Sequence, residues 1–170
     1  MTDPVTCTVE LITSGQWVSP LAILVSAGVG AAVALNAIKT NREIARKRAT
    51  LDVILKSESD EYFERIYTVF SSERKRSSGL KTLLFAETDS ERKAKTEVDN
   101  FLNHYELIAI SIRKEILDEG FYKSWMRSTY INHFEDAEEY IKDIQKTHPN
   151  AFKEFESLAR KWQGELRKQV

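Results

Sequence analysis

Three polar side chains interrupt an otherwise apolar stretch near the middle of the chain. Asn103, Glu106 and Arg113, here called the polar trio, follow one another at intervals of three and seven residues, which places them on one side of a helix. A carboxylate among apolar neighbours must be paired or close to water, because an isolated buried charge is costly. Either Glu106 fixes the helix register through hydrogen bonds or an ion pair with Arg113, or the polar trio binds a ligand or a partner protein.

The remaining residues predict neither a catalytic centre nor a metal site. His104, His133 and His148 fall in different predicted elements and form no HxxxH or ExxH pair, whereas a zinc or di-iron site needs three or four converging ligands. Cys7 is the only cysteine. The sequence also has no glycine-rich phosphate loop and no nucleophile in a recognisable motif. We therefore expect no catalytic residues, no metal and no cofactor.

The composition is typical of a helical protein with no general attraction to nucleic acid. The chain carries 25 Lys and Arg side chains against 26 Asp and Glu, so its net charge is close to zero. Its 3 prolines and 6 glycines are too few for a turn-rich β architecture. The length fits one anchor and one modest domain.

A long apolar run lies near the start of the sequence. Residues 17–38 read WVSPLAILVSAGVGAAVALNAI and contain no charged side chain. Hydrocarbon about 30 Å thick needs roughly 20 residues of helix at about 1.5 Å each, which this run supplies. The alternative is a buried helix of a soluble protein, but buried helices of this length usually carry a charged or strongly polar face. The run therefore predicts a transmembrane helix over residues 17–38.

The charges on either side of this run predict its orientation. Residues 1–16 contain no Lys or Arg, and cations concentrate on the cytoplasmic side of a span. We expect an uncleaved, single-pass anchor in the inner (cell) membrane of a bacterium, with a short extracytoplasmic tail at 1–16, a basic juxtamembrane helix at 39–56 and a cytosolic helical domain at 57–170. The juxtamembrane helix would hold anionic lipids through five cations: Lys39, Arg42, Arg46, Lys47 and Arg48.

Small residues recur within the predicted span. Small residues four positions apart are Ser26 and Gly30, Gly30 and Ala34, and Gly28 and Ala32. This spacing puts each pair on one helix face, where two backbones can approach closely. The pattern favours pairing of spans and hence a homo-oligomer, although Gly and Ala are common in membrane helices in any case.

The rest of the chain predicts several amphipathic helices. Three places are expected to cap helices: Ser57, Ser59 and Asp60 form a break and N-cap, one residue among Thr88, Asp89 and Ser90 caps the next helix, and Asp118 caps the one after it. Pro149 fits the first position of the last helix. The third cytosolic element is apolar nearly all round and should be central; its main stripe is Val98, Leu102, Tyr105, Ala109, Ile112 and Ile116. The next helix, 119–146, has a predicted face of Tyr122, Trp125, Met126, Thr129, His133, Ala137, Tyr140 and Ile144. These elements predict an all-α fold in which the transmembrane helix is followed by an antiparallel helical bundle.

Several segments together resemble a known family. They are the basic run Arg42–Asp52, the segment Phe101–Asp118 with its LNHYE sequence, Trp125, and Phe152–Trp162 with its FxxFxxLxxxW pattern. The chain resembles a bacterial and prophage-encoded family, classed only as a domain of unknown function, of small single-span proteins with a helical cytosolic domain. The resemblance implies a glycine shortly before Ile-Leu-Asp, where this chain has Ser111 and Lys114-Glu115, and it implies no established activity.

The expected function is that of a membrane-anchored, non-enzymatic module that binds itself or another protein at the cytoplasmic face. Prophage-type relatives favour a role in phage–host conflict, such as defence or superinfection exclusion. The alternative is a lipid- or nucleic-acid-binding module using Arg42–Arg48 and Arg74–Arg76, and of these two ligands we do not expect nucleic acid because the basic run abuts the membrane. An enzyme would require a pocket that gathers the polar trio with His104 or His133.

Overall fold

The computed structural model describes residues 18–77 and 79–168. Within these ranges every regular element is a helix and no strand occurs, so the predicted all-α fold is confirmed. The helices are α1 (Val18–Ser59), α2 (Glu61–Arg74), a 3₁₀ helix (Gly79–Phe85), α3 (Asp89–Arg113), α4 (Glu119–Gln145) and α5 (Lys153–Arg167). The predicted tail at 1–16 lies outside the described residues, as do Cys7 and Trp17.

Three of the helix starts are set by the predicted capping residues. Asp60 accepts a hydrogen bond of 2.8 Å from the backbone N–H of Tyr62, and Asp118 accepts one of 2.8 Å from Phe121. Thr88 and Glu91 form a capping box at the start of α3. Each cap satisfies backbone N–H groups that have no partner within the helix. The caps at these three places are confirmed, but Ser57 and Ser59 belong to α1 and not to the predicted break.

The last helix, α5, begins at Lys153 and not at Pro149, where the sequence predicted its first position. Pro149 occupies a turn in which the N–H of Ala151 donates to the carbonyl of His148 at 2.9 Å, and proline suits the second position of such a turn as well as it suits a helix start. The cap of α5 is Phe152, whose φ of 55° is left-handed and whose side chain makes no capping bond. The prediction for Pro149 is therefore wrong by one turn.

The chain divides into two compact units within α1, one ending at Arg42 and the other beginning at Glu43. In the second unit α3 is the central helix: it packs against α2, α5 and the 3₁₀ helix, as its nearly continuous apolar surface predicted. Its buried residues are Val98, Phe101, Leu102, Tyr105, Ile108, Ala109 and Ile112. Because a helix with several packed faces cannot turn without breaking contacts, α3 fixes where its polar side chains point.

The apolar stripe of α3 ends earlier than predicted. Glu115 adopts a left-handed φ of 57°, and the N–H groups of Glu115 and Ile116 donate to the carbonyls of Ile112 and Ser111. These are the two hydrogen bonds of a Schellman motif, which terminates a helix. Ile116 therefore lies beyond the helix and is 58% exposed, so its predicted place in the core stripe is wrong.

Two further details depart from the sequence patterns. Trp125 and Thr129 on α4 are exposed, whereas Tyr130 and Phe134 are buried, so the buried face of α4 is rotated from the predicted one. The part of α1 that follows Arg42 also packs into the second unit. Its Thr50 is fully buried and accepts a hydrogen bond of 2.8 Å from the backbone N–H of Asp118.

Candidate functional site

The carboxylate of Glu106 contacts the beginning of α5. Its Oε2 atom accepts a hydrogen bond of 2.7 Å from the backbone N–H of Phe155, and its Oε1 atom accepts one of 3.2 Å from that of Glu154. These N–H groups belong to the first turn of α5, where the capping residue Phe152 supplies no side-chain acceptor. Glu106 therefore caps α5 from a neighbouring helix, with a charge that suits the positive end of the helix dipole.

The other two members of the polar trio do not join Glu106. Arg113 forms an ion pair of 2.9 Å with Glu154 and lines a cavity of about 420 Å³ together with Lys161. Asn103 is exposed and lines a different cavity with Asp99. The arrangement fits the structural interpretation of Glu106, with hydrogen bonds to α5 in place of an ion pair to Arg113.

Glu106 lies in a partly buried environment that affects its proton affinity. Burial raises the pKa of the Glu106 carboxyl above its usual value, and the nearby charge of Glu154 acts in the same direction. The two backbone N–H groups and Arg113 oppose this effect because they stabilise the ionised form. The net direction is upward, so the hydrogen bonds and Arg113 offset only part of the effect of burial on the pKa.

His133 belongs to a buried aromatic network. Its Nδ1 atom lies 2.9 Å from the hydroxyl of Tyr105, and the hydroxyl of Tyr130 donates to the carbonyl of Tyr105 at 3.3 Å. The ring packs edge-on against Phe101, with 5.2 Å between ring centroids. Burial lowers the pKa of His133 to about 4 and that of His104 also to about 4. Both imidazoles are therefore neutral at pH 7.

Two surface cavities flank the start of α2. One has a volume of about 390 Å³ and an apolar lining that includes Val53, Phe63 and Ile108. The other has a volume of about 450 Å³ and is lined by acidic and aromatic side chains such as Glu58 and Tyr67. No member of the polar trio lines either cavity. In the part of the chain that the structure describes, no three His, Cys, Asp or Glu side chains are placed to bind a metal ion.

The first unit contains the apolar segment of α1. Side chains 22–40 are all exposed, and among the described residues this is the one helix that is long and apolar enough to cross a membrane. The predicted packing residues fit an open face. Ser26 donates to the carbonyl of Ile23 at 2.9 Å, and Gly28 and Gly30 have open space where a Cβ would lie. Ala34 is exposed as well.

The five predicted membrane-surface cations differ in their surroundings. Lys47 pairs with Glu43 at 2.7 Å, one helical turn away, and Arg46 pairs with Glu115 at 3.5 Å. Such exposed pairs contribute little to stability. Over the described ranges no ion pair involves the remaining three, which are Lys39, Arg42 and Arg48.

Over its described residues the fold defines an all-α protein with one long, exposed, apolar helical segment. A model of the DUF4760 family, described as a domain of unknown function, matches residues 24–162. Because the match covers most of the chain, the protein belongs to this family, and the resemblance noted in the sequence is confirmed. Neither the curated proteins nor the solved structures include a significant match.

Proposed function

We propose that the protein is a membrane-anchored, non-enzymatic interaction module whose helical domain faces the cytoplasm of a bacterium. The observation that carries the proposal is the uncharged helical segment 22–38, in which every side chain is exposed. Exposed apolar surface of this length is costly in water and favourable in hydrocarbon. The inner membrane supplies that hydrocarbon, and the helices that follow the anchor form an antiparallel bundle.

The orientation follows from charge. The cations that come after the span, from Lys39 to Arg48, favour the cytoplasmic side, so the N-terminus lies outside the cell membrane. Periplasmic and cytoplasmic reporters fused to either end of the full chain test this topology. We expect the periplasmic reporter to be active at the N-terminus only; activity at the C-terminus would overturn the proposed orientation.

An interaction function is supported by the exposed aliphatic side chains of α1. Ile44, Leu51 and Leu55 are between 43% and 56% exposed, and surface of this kind is typical of protein contacts. The most direct test is cross-linking in cells followed by mass spectrometry of the proteins joined to this chain. We expect a second copy or a defined protein partner, and the absence of any specific cross-link would contradict the proposal.

The biological setting we propose is phage–host conflict, through defence or superinfection exclusion, in line with the prophage-type relatives that the sequence resembles. Cells that express the chain should resist infection by some phages in a plaque assay. The matched control is a chain with Val29→Lys and Val33→Lys, which removes the anchor while leaving the domain sequence intact. Equal plaque counts with the native chain and with the control, across a broad phage panel, would count against this setting.

The second candidate function is binding of anionic lipids by the basic segment. It is supported by the exposed cations Lys39, Arg42 and Arg48, each of which can contribute about 1 kcal/mol at an anionic surface. Arg74 and Arg76 give the nucleic-acid alternative less support, since they pair with Asp136 and Glu73. To distinguish lipid binding from RNA binding, the full chain is reconstituted in vesicles with and without anionic lipid, and binding to anionic lipid and to RNA is measured at low and high salt.

A further inference from the structure

One face of α1 carries an exposed aliphatic stripe within the second compact unit. Ile44, Leu51 and Leu55 are 44%, 43% and 56% exposed, and Arg48 stands between the first two. The four positions are separated by four, three and four residues, which is the spacing of a coiled-coil seam. Aliphatic side chains at this spacing are rarely left in water over about three turns.

The opposite face of the same segment is already packed. Thr50 is fully buried and Ile54 is 8% exposed, and Ala49 and Val53 pack against the core. If Ile44 and Leu51 are d positions and Arg48 and Leu55 are a positions, these packed residues fall mainly at b, c and f. The seam therefore points away from the core of its own domain, which leaves it available to another molecule.

We propose that a second copy of this chain occupies the stripe and that the two α1 helices form a short parallel coiled coil over residues 44–55. This inference rests on the proposed membrane anchor, because two helices anchored at the same end in one membrane must run in the same direction. Counted back along the sequence, the alternation of four and three reaches Gly30 and Ala34, the small residues predicted to pair within the span.

The charges beside the stripe match a parallel arrangement of two copies. Lys47 takes a g position and Asp52 takes the e position five residues later, and g-to-e′ pairs of this kind link parallel helices. The ammonium group of one copy then lies beside the carboxylate of the other, and symmetry repeats the pair. Lys47 now pairs with the exposed Glu43 in its own helix, a weak contact that it can exchange or share. The polar Arg48 at an a position favours two strands at some cost in stability.

Cysteine cross-linking of the full chain in native membranes tests the seam. Cys7→Ser removes the only cysteine, and Leu51→Cys then places one at a d position, where parallel helices bring paired residues close together. We expect an oxidant to produce a disulfide-linked dimer with Leu51→Cys. The control is Leu107→Cys on α3, a leucine that is 62% exposed and lies off the stripe. Equal dimer from both variants would overturn the inference, as would cross-linking to a different protein.

Charge exchange in the chain with Cys7→Ser and Leu51→Cys tests the register of the two helices. Lys47→Glu should reduce the dimer formed through Leu51→Cys, because each copy then faces Asp52 with a like charge. The added Asp52→Lys should restore the dimer. If Lys47→Glu lowers the amount of dimer and Asp52→Lys does not restore it, the parallel register is contradicted. An unchanged amount of dimer with Lys47→Glu would contradict it as well. Chain found in the supernatant would count against the membrane anchor, whereas membrane-bound chain without a dimer would count against the seam alone.

Discussion

The carboxylate of Glu106 accepts a 2.7 Å hydrogen bond from the backbone N–H of Phe155, 49 residues further along the chain. The contact joins the central helix α3 to the first turn of α5. It supplies the cap that Phe152, in its left-handed conformation, does not provide. The strongest functional candidate in the sequence is thus explained by a specific structural task.

Replacement of Glu106 should destabilise the domain. Glu106→Ala leaves two N–H groups of α5 without their acceptor, and we expect a loss of about 2 kcal/mol in the free energy of unfolding. Glu106→Gln should cost less because its amide oxygen can still accept a hydrogen bond. Urea denaturation followed by circular dichroism measures both effects. The exposed Glu58 gives a matched control, Glu58→Ala, and equal stability of the Glu106 and Glu58 variants would refute the capping role.

Replacement of Glu115 by glycine should stabilise the domain. At φ 57° a residue with a Cβ is strained by roughly 1 kcal/mol or more, whereas the exposed ion pair that would be lost, 3.5 Å from Arg46, is weak. We expect Glu115→Gly to raise the free energy of unfolding by about 0.5 to 1 kcal/mol. The glycine that the family resemblance implies before Ile-Leu-Asp fits this position.

The neighbouring residue gives the control for this prediction. Lys114 has an ordinary φ of −84°, so Lys114→Gly relieves no strain and should lower the melting temperature. Thermal unfolding of the two variants in parallel measures the difference. A lower melting temperature for Glu115→Gly would contradict strain at that residue.

Stability should fall as the pH drops from about 6.5 to about 4. Burial lowers the pKa of His104 and of His133 to about 4, so below pH 6.5 the unfolded chain binds protons that the folded chain does not. Each histidine contributes a slope of up to about 1.4 kcal/mol per pH unit within this window. His133→Phe should flatten the measured profile, and the exposed His148 supplies the control His148→Phe. An unchanged slope in His133→Phe would argue against a neutral, buried imidazole.

Thr50 should stabilise the junction between α1 and the start of α4. Thr50→Val keeps the shape of the side chain but removes the acceptor for the N–H of Asp118, and an unsatisfied buried N–H costs about 1 to 3 kcal/mol. We expect a loss of that size in chemical denaturation. Ser59→Ala, at an exposed position of the same helix, should have almost no effect. A neutral Thr50→Val would show that water replaces the lost acceptor.

The helix caps and the buried stripe of α3 could be predicted from local sequence patterns. Asp60, Thr88 and Asp118 cap helices through bonds to residues two or three positions away, so their roles can be predicted from neighbours alone. The stripe on α3 was equally informative up to Ile112, because burial there follows the helical period.

Contacts between distant segments could not be predicted in the same way. The partner of Glu106 depends on how α5 docks, and the exposure of Trp125 depends on a rotation of α4 that no local residue sets. Pro149 fits two local structures, a helix start and a turn, and the neighbouring residues do not decide between them. Glu115 has no sequence signal for its left-handed conformation, since glycine or asparagine is usual at that position.

The membrane anchor is tested most directly by ultracentrifugation of lysed cells that produce the full chain. We expect the chain in the membrane pellet, retained at high salt and alkaline pH and released only by detergent, because segment 22–38 is uncharged and exposed along its whole length. The variant with Val29→Lys and Val33→Lys should shift to the supernatant, since each central lysine costs about 2.5 to 3.5 kcal/mol in a membrane helix. A native chain that stays in the supernatant without detergent would contradict the anchor and the function proposed from it.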